Sequence, residues 1–240
     1  MSYPLPLLPS IPDNLENLDS RHALPHLMAL MKNTLIRALN RIHACAPLIT
    51  AGHTALPSFL DYVRSLLIHL NIHLEEDATF FSTNPLAEIA TSETNPDTNV
   101  ITESIVSLLS LVSDWIEDES TYCPSALSDG LSFGPRMVAD MQVQIKMLTP
   151  MLLSSIISHS DLLELITDSV SRSSERSDMT FLLPFVLSHH DRTTSAHWPN
   201  IHKDGIEMLP TLMLSHSGYW QFAPFNPLTR EIQSLSVISA

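Results

Sequence analysis

Apolar residues recur along this chain at intervals of three and four, the spacing of one buried stripe on a helix. Between an N-cap cluster, Asp19 and Ser20, and the stop at Pro47, the stripe runs Leu24, Leu27, Met28, Met31, Leu35, Leu39, Ile42. A second stripe, Leu60, Val63, Leu66, Leu67, Leu70 and Leu74, predicts a helix over about 57–81. A third, Ile101, Ile105, Leu108, Leu109, Val112 and Trp115, predicts one over about 98–117. A fourth helical stretch covers about 136–169 with an interruption at Pro150, where the missing amide kinks or restarts the helix, and a shorter fifth covers about 178–188. NPLAEIATSETNPDTN reads as a linker and CPSALSDGLSFGP as a loop. Neither an internal repeat nor a β-branched alternation long enough for a sheet is present. The expectation is an all-α chain, an up-down four-helix bundle with an additional helix, as one domain over 1–240.

The two ends depart from this periodicity. MSYPLPLLPSIPDN has four prolines within twelve residues, which break the apolar run a signal peptide needs, and no positive charge precedes them. Residues 1–18 therefore read as a proline-rich arm leading into a cytoplasmic protein. Past residue 189, HHDRTTSAHWPN and HSGYWQFAPFNP mix prolines with aromatics and predict an irregular aromatic cap over 189–240.

Composition narrows the function classes. The chain is 44% apolar, and no run of 18 or more apolar residues predicts a membrane span. Its formal charge of −14, from 12 Lys and Arg against 26 Asp and Glu, argues against nucleic acid and anionic membranes as partners. Cys45 and Cys123 are too few for a disulfide framework and read as reduced, mostly buried small hydrophobes. The sequence holds no phosphate-binding glycine loop, G-x-S-x-G elbow, zinc-spaced cysteine set or D-D-x-x-D cluster.

The chemistry concentrates in HLNIHLEEDATFF, residues 69–81, where His69 and His73 stand four apart ahead of Glu76 and Asp77. That spacing suits two ligands on one helix face, or one pocket-lining histidine and one that meets solvent or a backbone carbonyl. MALMKNTLIRALNRIHACAP, IHLEEDATFF, LLPFVLSHHDRTT and GYWQFAP together resemble the fungal hemerythrin-like proteins, in order and over most of the chain. The resemblance implies a helical bundle with a pocket between its helices and, in intact members, a di-iron centre.

Several ligand positions of that pattern are altered here. Lys32 stands where the first helix has a histidine, and Ile72 where the second has its first; His73, Glu76 and Asp77 take the places of the second histidine, the glutamate and the next acid. No histidine occurs from 74 to 158. In LTPMLLSSIISHS, Ser155 falls at a histidine and His159 at a glutamate; in the alternative register His159 is the histidine and Leu163 falls at the acid. The resemblance thus implies a remnant site without metal or cofactor, in which Glu76 answers the buried charge of Lys32 across the bundle.

Three functions stay open on this reading. The first is a metal-independent cyclase or isomerase of specialised metabolism, such as an intramolecular [4+2] ring closure on a hydrophobic terpene- or polyketide-derived substrate. Lys32, Glu76, His69, His73 and His159 would be its catalytic candidates, with Ile72, Ser155, Met28 and Trp220 against the substrate. The second is a hemerythrin-like di-iron oxygen- or iron-binding protein. The third is a non-catalytic carrier of an apolar small molecule. His159 also reads as a satisfied core histidine. His189, His190 and Asp191 read as a helix-end cap or as a His–Asp acid/base pair. Trp198, Tyr219, Trp220, Phe222 and Phe225 read as a plug that doubles as a pocket wall. A homodimer is a further possibility that the sequence leaves open.

Overall fold

The computed structural model describes residues 2–11, 13–88 and 98–235. It is all-α: among the described residues the only β feature is an isolated bridge between Phe225 and Ile232. The long helices are α1 (Ser20–Cys45), α2 (Leu56–Ser82) and α3 (Thr98–Glu117). They start and stop close to where the apolar stripes do, because cap residues coincide with the ends of the stripes. Asp19 accepts the Arg21 amide at the start of α1, and Pro57 occupies the first turn of α2, where no amide partner is needed.

The fourth stretch breaks further than its sequence suggests. It forms α5 (Gly134–Met147), α6 (Pro150–Ile156) and α7 (His159–Arg176), after a short α4 (Pro124–Gly130) within the segment expected to be a loop. Thr149 and Ser158 each accept a backbone amide from the turn that follows, so the chain restarts twice within a dozen residues. The shorter helix is α8 (Met179–His189). The cap expected to be irregular contains α9 (Lys203–Leu214), packed against α8. The expected linker falls largely on residues 89–97, outside the described residues.

α2 packs against α3, α1 against α5 and α8, and α7 lies across α1 and α2. One core runs through these contacts, from Leu35, Ile36 and Leu39 to Phe59, Tyr62, Leu66, Val112 and Phe185. By length and composition α3, over Asn99–Glu117, could cross a membrane, which the reading of apolar runs did not foresee. Its stripe, Ile101, Ile105, Leu108, Val112 and Trp115, is buried in the core, while Ser104, Ser107 and Ser113 bond back to carbonyls one turn earlier. Cys45 is buried but Cys123 is exposed, correcting its expected burial.

The N-terminal arm is strapped onto α1. Asn33 Oδ1 accepts the Leu8 amide at 2.7 Å and its Nδ2 donates to the Leu8 carbonyl at 2.9 Å. Asn40 holds Leu5 the same way, at 2.6 and 2.9 Å. Three residues of extended, proline-rich chain rise about 9 Å, close to the ~10.5 Å of seven helical residues, so the two asparagines match the strap's repeat. The leucines they hold are buried in the core.

Candidate functional site

α1, α2, α7, α8 and the segment after α8 line a cavity of about 410 Å³ that is partly open to solvent. α1 contributes Leu24, Leu27, Met28, Met31 and Lys32, an arc of one helix face, and α8 contributes Met179, Leu182, Leu183 and Val186. Phe80, Ile166, Val170 and Trp198 complete the apolar walls, and the polar wall groups include His73, Glu76, Asp77 and the serines Ser169, Ser173 and Ser174. A chamber of this size and character suits a small apolar molecule with few polar groups.

Lys32 anchors the polar spot. It has no exposed surface, and its Nζ forms a salt bridge with Asp77 and lies 3.3 Å from His73 Nε2. An ammonium only donates, so His73 Nε2 accepts and the neutral ring carries its proton on Nδ1. Burial lowers the His73 pKa to about 4, with Asp77 raising it and Lys32 lowering it further. For Asp77, burial acts upward, but His73, the Lys32 charge and the Lys32 hydrogen bond together hold it below the usual carboxylate range. The spot is therefore a Lys–Asp ion pair beside a neutral imidazole. Two of the three ammonium donors are placed.

Asp77, not Glu76, answers Lys32. The reason is rotation about α2: Asp77 shares the face of His73 one turn earlier, while Glu76 sits about 100° away and turns to α7. There it accepts from Arg172 Nε at 3.3 Å and Arg176 Nη1 at 2.7 Å, and Arg176 also pairs with Glu75. The i, i+4 spacing of His73 and Asp77, and of the two arginines, was the signal available in the sequence.

Other candidates lie elsewhere. His69, a turn below His73, is buried edge-on against Phe181 and Phe185, outside the cavity wall, with Nε2 unpaired. Burial, with a contribution from His73, lowers its pKa to about 3. The break before Ser158 turns Ser155 and His159 outward; His159 instead meets Ser20 Oγ at 2.9 Å and Asp19 at 3.2 Å, so it is neither a cavity group nor a core histidine. Ile72 is half-buried and off the cavity wall. Trp220 is buried against Phe181 and donates to the Met213 carbonyl, so Trp198 supplies the aromatic wall instead. Met28 is on the wall as expected.

The helix-end segment is structural. Asp191 accepts the Thr193 amide at 2.9 Å and its hydroxyl at 2.7 Å, and lies 3.7 Å from Arg37. His190 Nε2 meets the Ser195 carbonyl, and His189 Nε2 meets the Tyr62 hydroxyl at 2.7 Å, so neither forms a pair with Asp191. Nor do the residues fit a di-iron centre. Lys32 brings an ammonium to the polar spot, Glu76 is engaged by two arginines, and Ser155 and His159 face outward. Among the described residues, no group of three or more His, Cys, Asp or Glu side chains could hold a metal ion. No family model, characterised protein or solved structure matches this chain.

Proposed function

We propose that the chain is a metal-independent cyclase or isomerase acting on a hydrophobic, carbonyl-bearing molecule of terpene or polyketide type, with a pericyclic ring closure as the reaction that best suits the cavity. The long helices are read as a degenerate hemerythrin-like bundle. The carrying observation is Lys32: a fully buried ammonium on the wall of an apolar cavity, with two donors engaged by Asp77 and His73. Its third N–H reaches a substrate carbonyl oxygen once the ligand displaces the wall side chains that cover Lys32, which has no exposed surface of its own. That bond strengthens as charge builds on the oxygen during ring closure, so it favours the transition state over the ground state. The apolar walls contribute by folding a flexible chain into a reactive conformer. Asp77 positions the ammonium, and because it already balances the charge, the site suits a neutral carbonyl better than a carboxylate.

The test is ring closure of linear polyene aldehydes and ketones by the purified protein, with and without a chelator. Acceleration that survives chelation and falls at least about 100-fold in Lys32→Met/Asp77→Asn supports the reading. Acceleration that requires iron, or that the double variant keeps in full, overturns it. The predominantly apolar wall also favours a carrier, which would bind such molecules and return them unchanged.

A further inference from the structure

We propose that α7 is a gate over the cavity, clasped by Arg172 and Arg176 on Glu75 and Glu76, and that a ligand reaches Lys32 when this clasp releases. This rests on the reading of the cavity as a site for a neutral carbonyl compound.

Lys32 has no exposed surface, so part of the wall must yield before a ligand touches it. α1, α2 and α8 are poor candidates, because each buries more than half of its residues. α7 differs. Of its 18 residues only Leu162, near the start, is fully buried. The stretch that forms its share of the wall, Ile166, Ser169, Val170, Ser173 and Ser174, contains no such residue. The existing opening also lies on this side: Val170 of α7 and Met179 of α8 line the cavity and yet are 60% and 44% exposed.

The two halves of α7 are held by different means. At the start, Leu162 belongs to the apolar cluster of Leu153, Ile157 and Phe80, Arg21 Nη2 donates to the Ile157 carbonyl at 2.9 Å, and His159 meets Asp19. Past the middle the attachment is ionic: Arg172 Nε to Glu76 at 3.3 Å, and Arg176 to Glu76 at 2.7 Å and to Glu75. The two arginines are four apart on one face, so both let go in a single outward shift of the helix. The backbone is extended at Ile157 before α7 and at Ser177 after it, which makes α7 a rigid rod between two joints. The side chains of Arg172, Arg176 and Glu75 are 39%, 42% and 47% exposed, so water takes up their charges on release and salt weakens the clasp.

Stopped-flow fluorescence on the full chain tests this with 6-propionyl-2-(dimethylamino)naphthalene, a neutral ketone whose emission shifts in apolar surroundings. A gate that closes over the empty and the filled cavity alike governs entry and exit together. Arg172→Gln/Arg176→Gln therefore raises the association and dissociation rates each about tenfold, the worth of three partly exposed ion pairs, and leaves Kd within about twofold. The probe carries no charge, so its encounter with the protein is not steered by salt. Raising ionic strength from about 0.01 to 0.15 M, which cuts the screening length from about 30 to 8 Å, speeds both rates in the unaltered protein and neither in the variant. The salt response of the unaltered protein decides the matter by itself, and its absence overturns the gate. So do a faster dissociation alone, which would make the arginines mere wall supports, and a salt response that the variant keeps. Failure of the probe to bind either protein overturns the cavity reading instead.

Discussion

Lys32 and Asp77 show how much a single buried charge depends on its answer. Lys32→Met alone leaves Asp77 unpaired at 7% exposure and should cost about 3–5 kcal/mol. Lys32→Met/Asp77→Asn removes both charges, and urea midpoints should show it recovering most of that loss, a coupling far from additive. Buried histidines set the response to acid. Burial lowers His69 to about 3; it lowers His189 to about 3 as well, with Arg41 and Arg37 adding to the effect and the Phe185 carbonyl opposing it. Both are neutral in the fold and protonate near pH 6.5 when unfolded. Between about pH 6.5 and 3 the unfolded chain binds more protons, so stability falls as the pH is lowered, at about 1.4 kcal/mol per unit for each. Urea unfolding at pH 7 and pH 5 should show this slope, and His69→Phe should reduce it by about one histidine's share. The spacing of His69, His73 and Asp77 was legible in the sequence. Which of them shared a space with Lys32 was not, because a 100° step around α2 separates Asp77 from Glu76.

α7 and the arm illustrate two ways an element is attached. α7 buries only Leu162 fully, and is held by Asp19–His159 at its start and by Arg172 and Arg176 on Glu75 and Glu76 near its end. With so little apolar burial it should open ahead of α1 and α2. Hydrogen exchange should therefore be faster over 159–176 than over α1 or α2, and faster still in Arg172→Ala/Arg176→Ala. The arm is tied by hydrogen bonds over buried leucines. Asn33→Ala strands both polar groups of Leu8 and should cost about 2 kcal/mol in thermal melts, and Asn40→Ala should cost as much at Leu5. Periodicity located α1, α2 and α3 closely, because their stripes are long and capped. The proline marked the restart at Pro150, but periodicity joined α6 to α7, whose apolar residues continue across the break at Ser158 and conceal it.

For the molecule as a whole, the cavity is the feature that stability and function share. The cavity of about 410 Å³ holds apolar walls apart, so a larger apolar wall residue that covers them should stabilise the protein while blocking ligand. Met28→Trp should raise stability by about 0.5–2 kcal/mol and abolish ketone binding by calorimetry; a destabilised variant that still binds would place Met28 off the cavity wall. The sequence by itself determined the all-α character, the three long helices and the presence of Met28 on an apolar stripe. These follow from local spacing and residue chemistry, which the chain carries without folding. Tertiary structure decided the Lys32–Asp77 pair, the diversion of Glu76 to α7, the burial of His69 and the exposure of His159 and Ser155. It also put Trp198 rather than Trp220 on the wall. Each of those depends on the rotation of one helix against another, and rotation is set by packing between segments far apart in the chain.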